Sequence, residues 1–428
     1  MKNKKYVIIG AGPSGLSCAK VFTEMGIPFQ GYESSESVGG LWNFNNPKSA
    51  LYPNVHVISS KKRLEFKHFP MSNIKEDYPH HSRVYTYLKE YASHYDLNRF
   101  FRFNTRIKKI NQLETEEWEV ELDSGEKQTY IGVVIASGIY SCPKLPTFQG
   151  DFSGKIIHSG NIKEYDSFKN KRILIIGAGN SGCDIACDLS RLNGLVGLSM
   201  RNGNYIIPKY ILGKPADSSS FGANLPIRIK QFIHEKFINL ISGNLRKFGL
   251  PKPTYKIYEK HPVINSQLKY QIGHGHIKVY QEAINYHGNT VFFSDGTSEQ
   301  FDTIIMATGF NLNYPFIDNK HLNWEAGCPQ LYLNIFNKSR LNLFIMGMVS
   351  SVGLGWDGRY QQAIIIGKYL LAKKHSRSTA RKFERRMQTH PDLSGGYNYK
   401  LPPGSQYYVN NRAYLKLLKK GIKFLSYE

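Results

Sequence analysis

Tyr6-Val7-Ile8-Ile9-Gly10-Ala11-Gly12-Pro13-Ser14-Gly15 is a short apolar run that breaks at a glycine turn, and Arg172-Ile173-Leu174-Ile175-Ile176-Gly177-Ala178-Gly179-Asn180-Ser181-Gly182 repeats it. Each turn opens a helical run, through Ala19, Val21 and Phe22 in the first copy and Ile185, Ala186 and Leu189 in the second. Strand, GxGxxG and helix in that order make the dinucleotide-binding fingerprint. Gly10 and Gly177 permit the tight turn. Gly12 and Gly179 let the backbone approach a pyrophosphate, and Gly15 and Gly182 let the helix pack close to its strand. Pro13, Ser14, Asn180 and Ser181 occupy the first helical turns, where free N–H groups and a partial positive charge meet phosphates. One GxGxxG is weak evidence. Two in their proper setting predict an α/β chain with two Rossmann-like dinucleotide-binding domains.

The strands after the two turns distinguish the sites. Phe29-Gln30-Gly31-Tyr32 leads to Glu33, 23 positions beyond Gly10. An acid there accepts hydrogen bonds from ribose hydroxyls, so the first site suits FAD or NAD. Val196-Gly197-Leu198-Ser199-Met200 leads to Arg201, 24 positions beyond Gly177. A guanidinium fork matches a 2′-phosphate, so the second site suits NADPH over NADH. Two such sites in one chain imply hydride passing from NADPH to a flavin.

The halves share more than the turn. Trp118–Leu122, Asp123-Ser124-Gly125 and Lys127–Tyr130 read as a hairpin, followed by the buried strand Gly132–Ile135 and Ala136-Ser137-Gly138. Val291-Phe292-Phe293, Asp295-Gly296 and the residues just beyond them repeat that hairpin, and Thr303–Met306 with Ala307-Thr308-Gly309 repeats the strand. This duplication predicts a second fold inserted into the first: 1–150 the first part of an FAD-binding domain, 151–300 an NADPH-binding domain, and 301–428 the returning part. In between, 213–275 is a variable segment with one helix near Ile227–Ile241. Leu343–Gly347 reads as a returning strand and Gln361–Leu371 as the helix after it, its start facing the flavin. Tyr414–Leu425 reads as a short basic amphipathic segment that packs on the domain.

Composition excludes several classes. The 428 residues are 41% hydrophobic and 21% charged, an ordinary globular balance. Five cysteines without CxxC argue against a secreted disulfide framework, a zinc site and a disulfide reductase. Cys183 and Cys187 would share one helix face, as packing residues. The basic, then apolar start imitates a signal peptide but breaks at Gly10. No apolar run reaches 18 residues, so a cytoplasmic protein is expected. The formal net charge is +23, and residues 361–428 hold fourteen Lys and Arg against three Asp and Glu. A solvated basic surface explains this without nucleic acid, for which no motif is present. A weak membrane-surface contact through the C-terminus and a homodimer are left open.

The chain resembles the class B flavin-containing monooxygenases along nearly its whole length. The residues that carry the resemblance are GAGPSG, Glu33 and Gly39-Gly40-Leu41-Trp42; then Phe152-Ser153-Gly154 followed by His158-Ser159, similar to the family fingerprint FxGxxxHxxx(Y/F); then GAGNSGCDIA and Ala307-Thr308-Gly309, which links the domains. The resemblance implies FAD held by the first turn with Glu33, Gly40, Leu41, Trp42, Ser60 and Gln362. It implies NADPH held by the second turn with Arg201. It also implies a cycle in which oxygen adds to reduced flavin as a C4a-hydroperoxide and one oxygen passes to a nitrogen, a sulfur or a carbonyl. Partners would then be a small-molecule substrate and molecular oxygen. No side chain need act as a nucleophile, and His158 is read either as a residue positioning the domains or cofactor or as a core histidine.

Two positions depart from the family pattern. The fingerprint's last position holds Ile162 in place of Tyr or Phe, although Lys163 follows as in the amine- and sulfur-oxidising branch. Ile58 stands where many members place an Asn just before a segment like Ser59-Ser60-Lys61, which leaves Asn54 or Ser59 to replace its hydrogen bond beside the flavin. If neither does, NADPH oxidation would release hydrogen peroxide. An uncoupled NADPH oxidase is therefore the alternative within the same class, and a flavin-bound scaffold or regulator the alternative outside it.

Overall fold

A computed structural model describes residues 4–193, 195–218, 222, 225–402 and 404–426. Positions 219–221 and 223–224 of the variable segment lie outside the described residues. Two parallel sheets organise the chain. In the first, Tyr6–Ile9 pairs with Phe29–Tyr32 on one side and Gly132–Ile135 on the other. Phe101–Arg102 extends one edge and Leu343–Ile345 the other. Two short antiparallel strands, Leu331–Tyr332 and Phe336–Asn337, complete seven. The central strands are apolar and buried on both faces, as a parallel sheet covered by helices requires.

The second sheet has five parallel strands in the order Ile277–Tyr280, Val196–Ser199, Ile173–Ile176, Thr303–Met306, Lys155–His158. All of them fall between Ile135 and Leu343 in sequence, so the second Rossmann-like domain is inserted into the first. The expected division at 300 needs correction. Thr303–Met306 pairs with both Ile173–Ile176 and Lys155–His158, and its four buried residues suit only such an interior position. Both predicted hairpins form, Trp118–Leu122 with Lys127–Tyr130 and Thr290–Phe293 with Ser298–Gln300, and Gly125 and Gly296 take left-handed φ at their turns.

Six helices position the sites and surfaces: α1 (Pro13–Glu24), α2 (Asn180–Leu189), α3 (Ile227–Ser242), α4 (Gly355–His375), α5 (Arg377–Met387) and α6 (Asn411–Leu425). α1 and α4 cover one face of the first sheet, with Phe22, Ile366 and Tyr369 in a common core. α6 is the basic tail. Its apolar residues Tyr414, Leu418 and Leu425 are buried in that same core, and Gly421 lies so near Ile365 that a Cβ there would come within 2.6 Å of its side chain. The tail's apolar face is thus taken by packing, and no apolar face remains for the membrane contact considered for it. Cys183 and Cys187 pack on α2, where burial raises both thiols, Cys187 to about 12. Among the described residues no helix is long and apolar enough to cross a membrane.

Candidate active site

The first glycine turn sits where the chain, having laid Phe29–Tyr32 on one side of Tyr6–Ile9, places Gly132–Ile135 on the other. Ligands of open α/β sheets bind at the strands' carboxyl ends beside such a switch point. Gly10 has φ +100°, and a Cβ on it would lie 2.8 Å from the Ala136 carbonyl oxygen. A Cβ on Gly15 would lie 1.8 Å from the Gly10 carbonyl oxygen, so helix and strand touch backbone to backbone. Gly12 caps α1 without a side-chain hydrogen bond, which leaves the first helical N–H groups for a ligand. The Glu33 carboxylate is buried and oriented: Oε2 accepts the Ala11 N–H at 2.7 Å and Oε1 the Ser35 N–H at 2.9 Å. Gly39 donates its N–H to the Ala11 carbonyl at 2.9 Å, which lays the Gly40-Leu41-Trp42 segment across the turn.

From this turn opens a cavity of about 1000 Å³. Gly10, Gly12, Pro13, Ser14 and Glu33 line it, followed by Gly40, Leu41 and Trp42. Its other walls include Ile58, Ser59, Tyr140, His261, Phe316, Trp356 and Arg359. Trp42 meets Trp356 edge to face at 6.1 Å, and Trp356 in turn lies on Phe66 and Tyr87. Several of these residues escaped sequence reasoning. Trp356 and Arg359 were missed because α4 starts at Gly355, six residues before the expected Gln361. Their i, i+3 spacing after the glycines at 347, 353 and 355 was the available signal. His261 comes from the variable segment, where nothing in the sequence marks it.

Four expected flavin-side residues do not line the cavity. Gly15 serves the strand–helix contact alone. Asn54 is exposed, and its carbonyl meets His56 Nδ1 at 3.1 Å. Ser60 is buried, and its N–H donates to Asp217 Oδ2 at 2.7 Å, which ties the variable segment to the first domain. Gln362 is fully buried one turn too deep: Oε1 accepts the Gly347 N–H at 3.1 Å, and Nε2 donates to the Tyr414 hydroxyl at 2.7 Å. It joins the cavity floor to α6 instead of meeting a ligand. Of the two residues considered as replacements for an Asn at position 58, only Ser59 reaches the cavity.

The second turn repeats the first. Gly177 has φ +109°, with an added Cβ 2.5 Å from the Ala307 oxygen; on Gly182 it would lie 1.9 Å from the Gly177 oxygen. Gly179 caps α2 without a side-chain bond and has open space around it. Asn180 is committed to the protein, its Oδ1 accepting the Ile264 N–H at 2.7 Å, whereas Ser181 is exposed. Arg201 follows the strand next to the central one. Its side chain is 72% exposed, with only a loose contact to Glu282 at 3.8 Å. Lys260 lies close enough that the Arg201 charge adds to burial in lowering its pKa. Two cations close enough to feel each other favour an anion near both, and Lys260 is a further residue missed in the sequence.

Ala307, Thr308 and Gly309 form the crossing between the sheets. The Ala307 N–H donates to the Ile176 carbonyl at 2.8 Å, Thr308 Oγ1 donates to the Lys144 carbonyl, and the Lys144 N–H donates to the Gly309 carbonyl at 2.9 Å. Phe310–Asn311 then pairs antiparallel with Cys142–Pro143, so the two crossings run as one ribbon. His158 secures it. Its Nδ1 accepts the Gly160 N–H at 3.1 Å, so Nε2 carries the proton and donates to the Gly309 carbonyl at 2.9 Å. Burial lowers its pKa, and its ring meets Phe310 edge-on at 4.8 Å. Lys163 bridges the domains as well, donating to the Ser49 and Leu51 carbonyls at 2.7 and 2.9 Å. Ile162 is buried beside it in the second core.

A family model described as flavin-binding monooxygenase-like matches residues 3–377. Over 377 residues the chain is 33% identical to a putative dimethylaniline monooxygenase (N-oxide-forming) 6 of Homo sapiens, covering 82% of this chain and 70% of that protein. Its fold is similar to S-allyl-L-cysteine S-oxygenase from Allium sativum, with TM-score 0.68, 18% identity, and 99% of this chain and 89% of that one covered. Cyclohexanone monooxygenase from Rhodococcus sp. Phi1 bound to NADP+ gives TM-score 0.71 at 18% identity, covering 99% and 96%.

Proposed function

The chain belongs to the flavin-binding monooxygenase-like family, and from that premise we propose that it oxygenates a small nucleophilic nitrogen or sulfur compound. It is an oxidoreductase that uses FAD and NADPH. The observation that carries the substrate reading is the cavity. It joins a dinucleotide turn to an aromatic wall of Trp42, Tyr140, Phe316 and Trp356, and none of these four is a nucleophile of the kind that forms covalent intermediates with small substrates. The heteroatom preference is supported by the N-oxide-forming relative at 33% identity, whereas the cyclohexanone monooxygenase is similar in fold alone.

The residues present fit both cofactors. Gly10, Gly12, Ser14 and the uncapped start of α1 would hold the FAD pyrophosphate, and Glu33 is already oriented for ribose hydroxyls. Gly177, Gly179 and the start of α2 would hold the NADPH pyrophosphate, with Arg201 and Lys260 on its 2′-phosphate. FAD held at the first turn would supply the redox chemistry of the reaction, in which NADPH gives the two electrons, one atom of O2 goes to the substrate and the other leaves as water. The chain's own task is to orient and to keep dry: Trp42 and Trp356 close the wall, and His158 and Lys163 hold the second domain against the first. Five unpaired cysteines support a cytoplasmic location.

One observation favours a second reading. Ile58 lines the cavity and Asn54 does not, so of the two residues considered in its place only Ser59 is positioned to supply a side-chain hydrogen bond there. If Ser59 does not supply it, the chain is an NADPH oxidase that releases hydrogen peroxide. One experiment separates the two. The FAD-loaded protein is given NADPH, oxygen and a tertiary amine or a thioether, and oxide, peroxide and NADPH are counted. Oxide close to one per NADPH supports the monooxygenase; peroxide at one per NADPH with no oxide from either substrate refutes it.

A further inference from the structure

A line of readily oxidised side chains leaves the cavity and ends at the surface. Trp42 lines the cavity and meets Trp356, also on its wall, at 6.1 Å. Trp356 lies 5.5 Å from the Phe66 ring, Phe66 stacks on Tyr91 at 4.3 Å, and Tyr91 meets Tyr95 at 5.0 Å. Phe66 and Tyr91 are fully buried, whereas Tyr95 is half-buried, with the Lys20 ammonium 4.6 Å from its ring centroid. Packing alone does not ask for indole and phenol. A second aromatic cluster of the first domain, Phe336, Phe344 and Phe383 around Tyr369, has no Trp and puts no ring on the cavity.

A tyrosine gives up an electron readily only if its proton leaves too, so the partner of each hydroxyl decides the route. The Tyr87 ring also stacks on Trp356, at 5.7 Å, but its hydroxyl donates to the Phe69 carbonyl, which is no base. The Tyr91 hydroxyl instead stands 3.0 Å from His68 Nε2, its one partner among the described residues. Burial and the Lys20 charge hold His68 near pKa 4, so the imidazole is neutral at physiological pH and has a lone pair to offer. Glu24 and Asp357 lie near enough to favour the imidazolium once it forms. Burial raises the pKa of the Tyr91 phenol, which keeps its proton until it is oxidised.

We propose that Trp42, Trp356, Tyr91 and Tyr95 form a line that carries one-electron oxidising equivalents out of the cavity, with His68 as the proton acceptor of Tyr91. The proposal rests on the reading of the cavity as the seat of oxygen chemistry. The oxidant is a hydroxyl radical, which peroxide yields when it gains one electron and releases hydroxide. That radical takes one electron from Trp42 and becomes hydroxide. The electron vacancy passes through Trp356 and across Phe66 to Tyr91, whose O–H bond breaks as its proton moves to His68 Nε2. An electron from Tyr95, replaced in turn by one from a dissolved thiol, refills Tyr91, and the proton returns from His68. In sum the hydroxyl radical and the thiol give water and a thiyl radical, and the protein ends unchanged.

The test excites the flavin of the FAD-loaded protein with a light flash in the absence of NADPH, so that the flavin itself draws the electron. Radicals are followed by transient absorption and by electron paramagnetic resonance with ring-deuterated tyrosine. The native protein should show a tyrosyl radical that forms more slowly in D2O. Tyr91→Phe and His68→Gln should lose that signal and leave a tryptophan radical. Neither residue lines the cavity, so both variants should keep their flavin and their rate of NADPH oxidation. In NADPH turnover without substrate, both should lose activity in fewer turnovers than the native protein, and an added thiol should protect the native protein alone. The proposal is overturned if the native protein forms no tyrosyl radical, if either variant keeps the native signal, or if native protein and variants inactivate alike. The flash needs neither NADPH nor substrate, so a protein that released only peroxide would still answer it, and the two readings fail separately.

Discussion

Replacing Gly179 by alanine separates what the second glycine turn does for the fold from what it does for the ligand. An added Cβ at Gly179 meets no heavy atom within 4 Å, and its φ of −77° and ψ of −175° suit any residue. Gly→Ala at a permissive position stabilises by about 0.4–1 kcal/mol, and loss of a preferred N-cap residue offsets a similar amount. Folding should therefore hold within about 1 kcal/mol. The same methyl group stands where a pyrophosphate would approach the α2 amides. Charge-assisted hydrogen bonds there are worth about 1.5–3 kcal/mol, so NADPH should bind on the order of tenfold to a hundredfold more weakly. Gly182→Ala is the contrast. Its Cβ would lie 1.9 Å from the Gly177 oxygen, where ordinary contacts begin at 3.4 Å, so helix and strand must part. That overpacking costs about 1–3 kcal/mol or more. The assay is thermal release of flavin, for stability, beside anaerobic flavin reduction at varied NADPH. The reasoning fails if Gly179→Ala unfolds as early as Gly182→Ala, or reduces its flavin at the same NADPH concentration as the native protein.

Three further outcomes are expected. Arg201→Ala should weaken NADPH by about tenfold or more and leave NADH nearly unchanged, because only the 2′-phosphate meets the guanidinium; an unaltered ratio of the two KM values excludes Arg201 from that role. Ile58→Asn places an amide on the cavity wall and should raise the share of NADPH electrons found in oxide over peroxide; a share that stays the same or falls disproves the part given to position 58. His81 is held near pKa 4 by burial, stacked on Phe44, with Nε2 on the Pro53 carbonyl at 3.0 Å. The unfolded chain binds this proton near pH 6.5 and the folded chain only near 4, so the unfolded state carries more protons between them and stability falls as pH falls through that window. Unfolding midpoints of His81→Phe should decline less steeply from pH 6.5 to 4, and slopes equal to those of the native protein would count against it.

Much of the architecture was legible because its causes are local. A strand, a glycine turn and a helix announce themselves within one short stretch of chain, and the Asp–Gly hairpins and buried β-branched strands do the same. Glu33 and Arg201 stand at a spacing set by one βαβ unit, so their places beside the glycine turns come from counting. The site walls were less legible. Gln362 and Trp356 lie on the same helix, and six residues of phase decide which of them meets the cavity. The helix begins at Gly355, in a glycine-rich stretch that local propensity reads as loop. Asn54 and Ser60 are near Ser59 in sequence but face the second domain and the variable segment, and only docking of those parts turns them from the cavity.

The sequence by itself determined two dinucleotide turns and the second fold nested in the first, because each rests on short-range geometry and on residue chemistry. The tertiary structure decided what depends on contacts between distant segments. It bound the two crossings into one ribbon under His158, set Lys260 beside Arg201, and shaped the aromatic wall. It also buried the apolar face of α6 and left that of α3 in water. Two amphipathic basic helices read alike in sequence, and only the surface each one meets, or lacks, tells them apart.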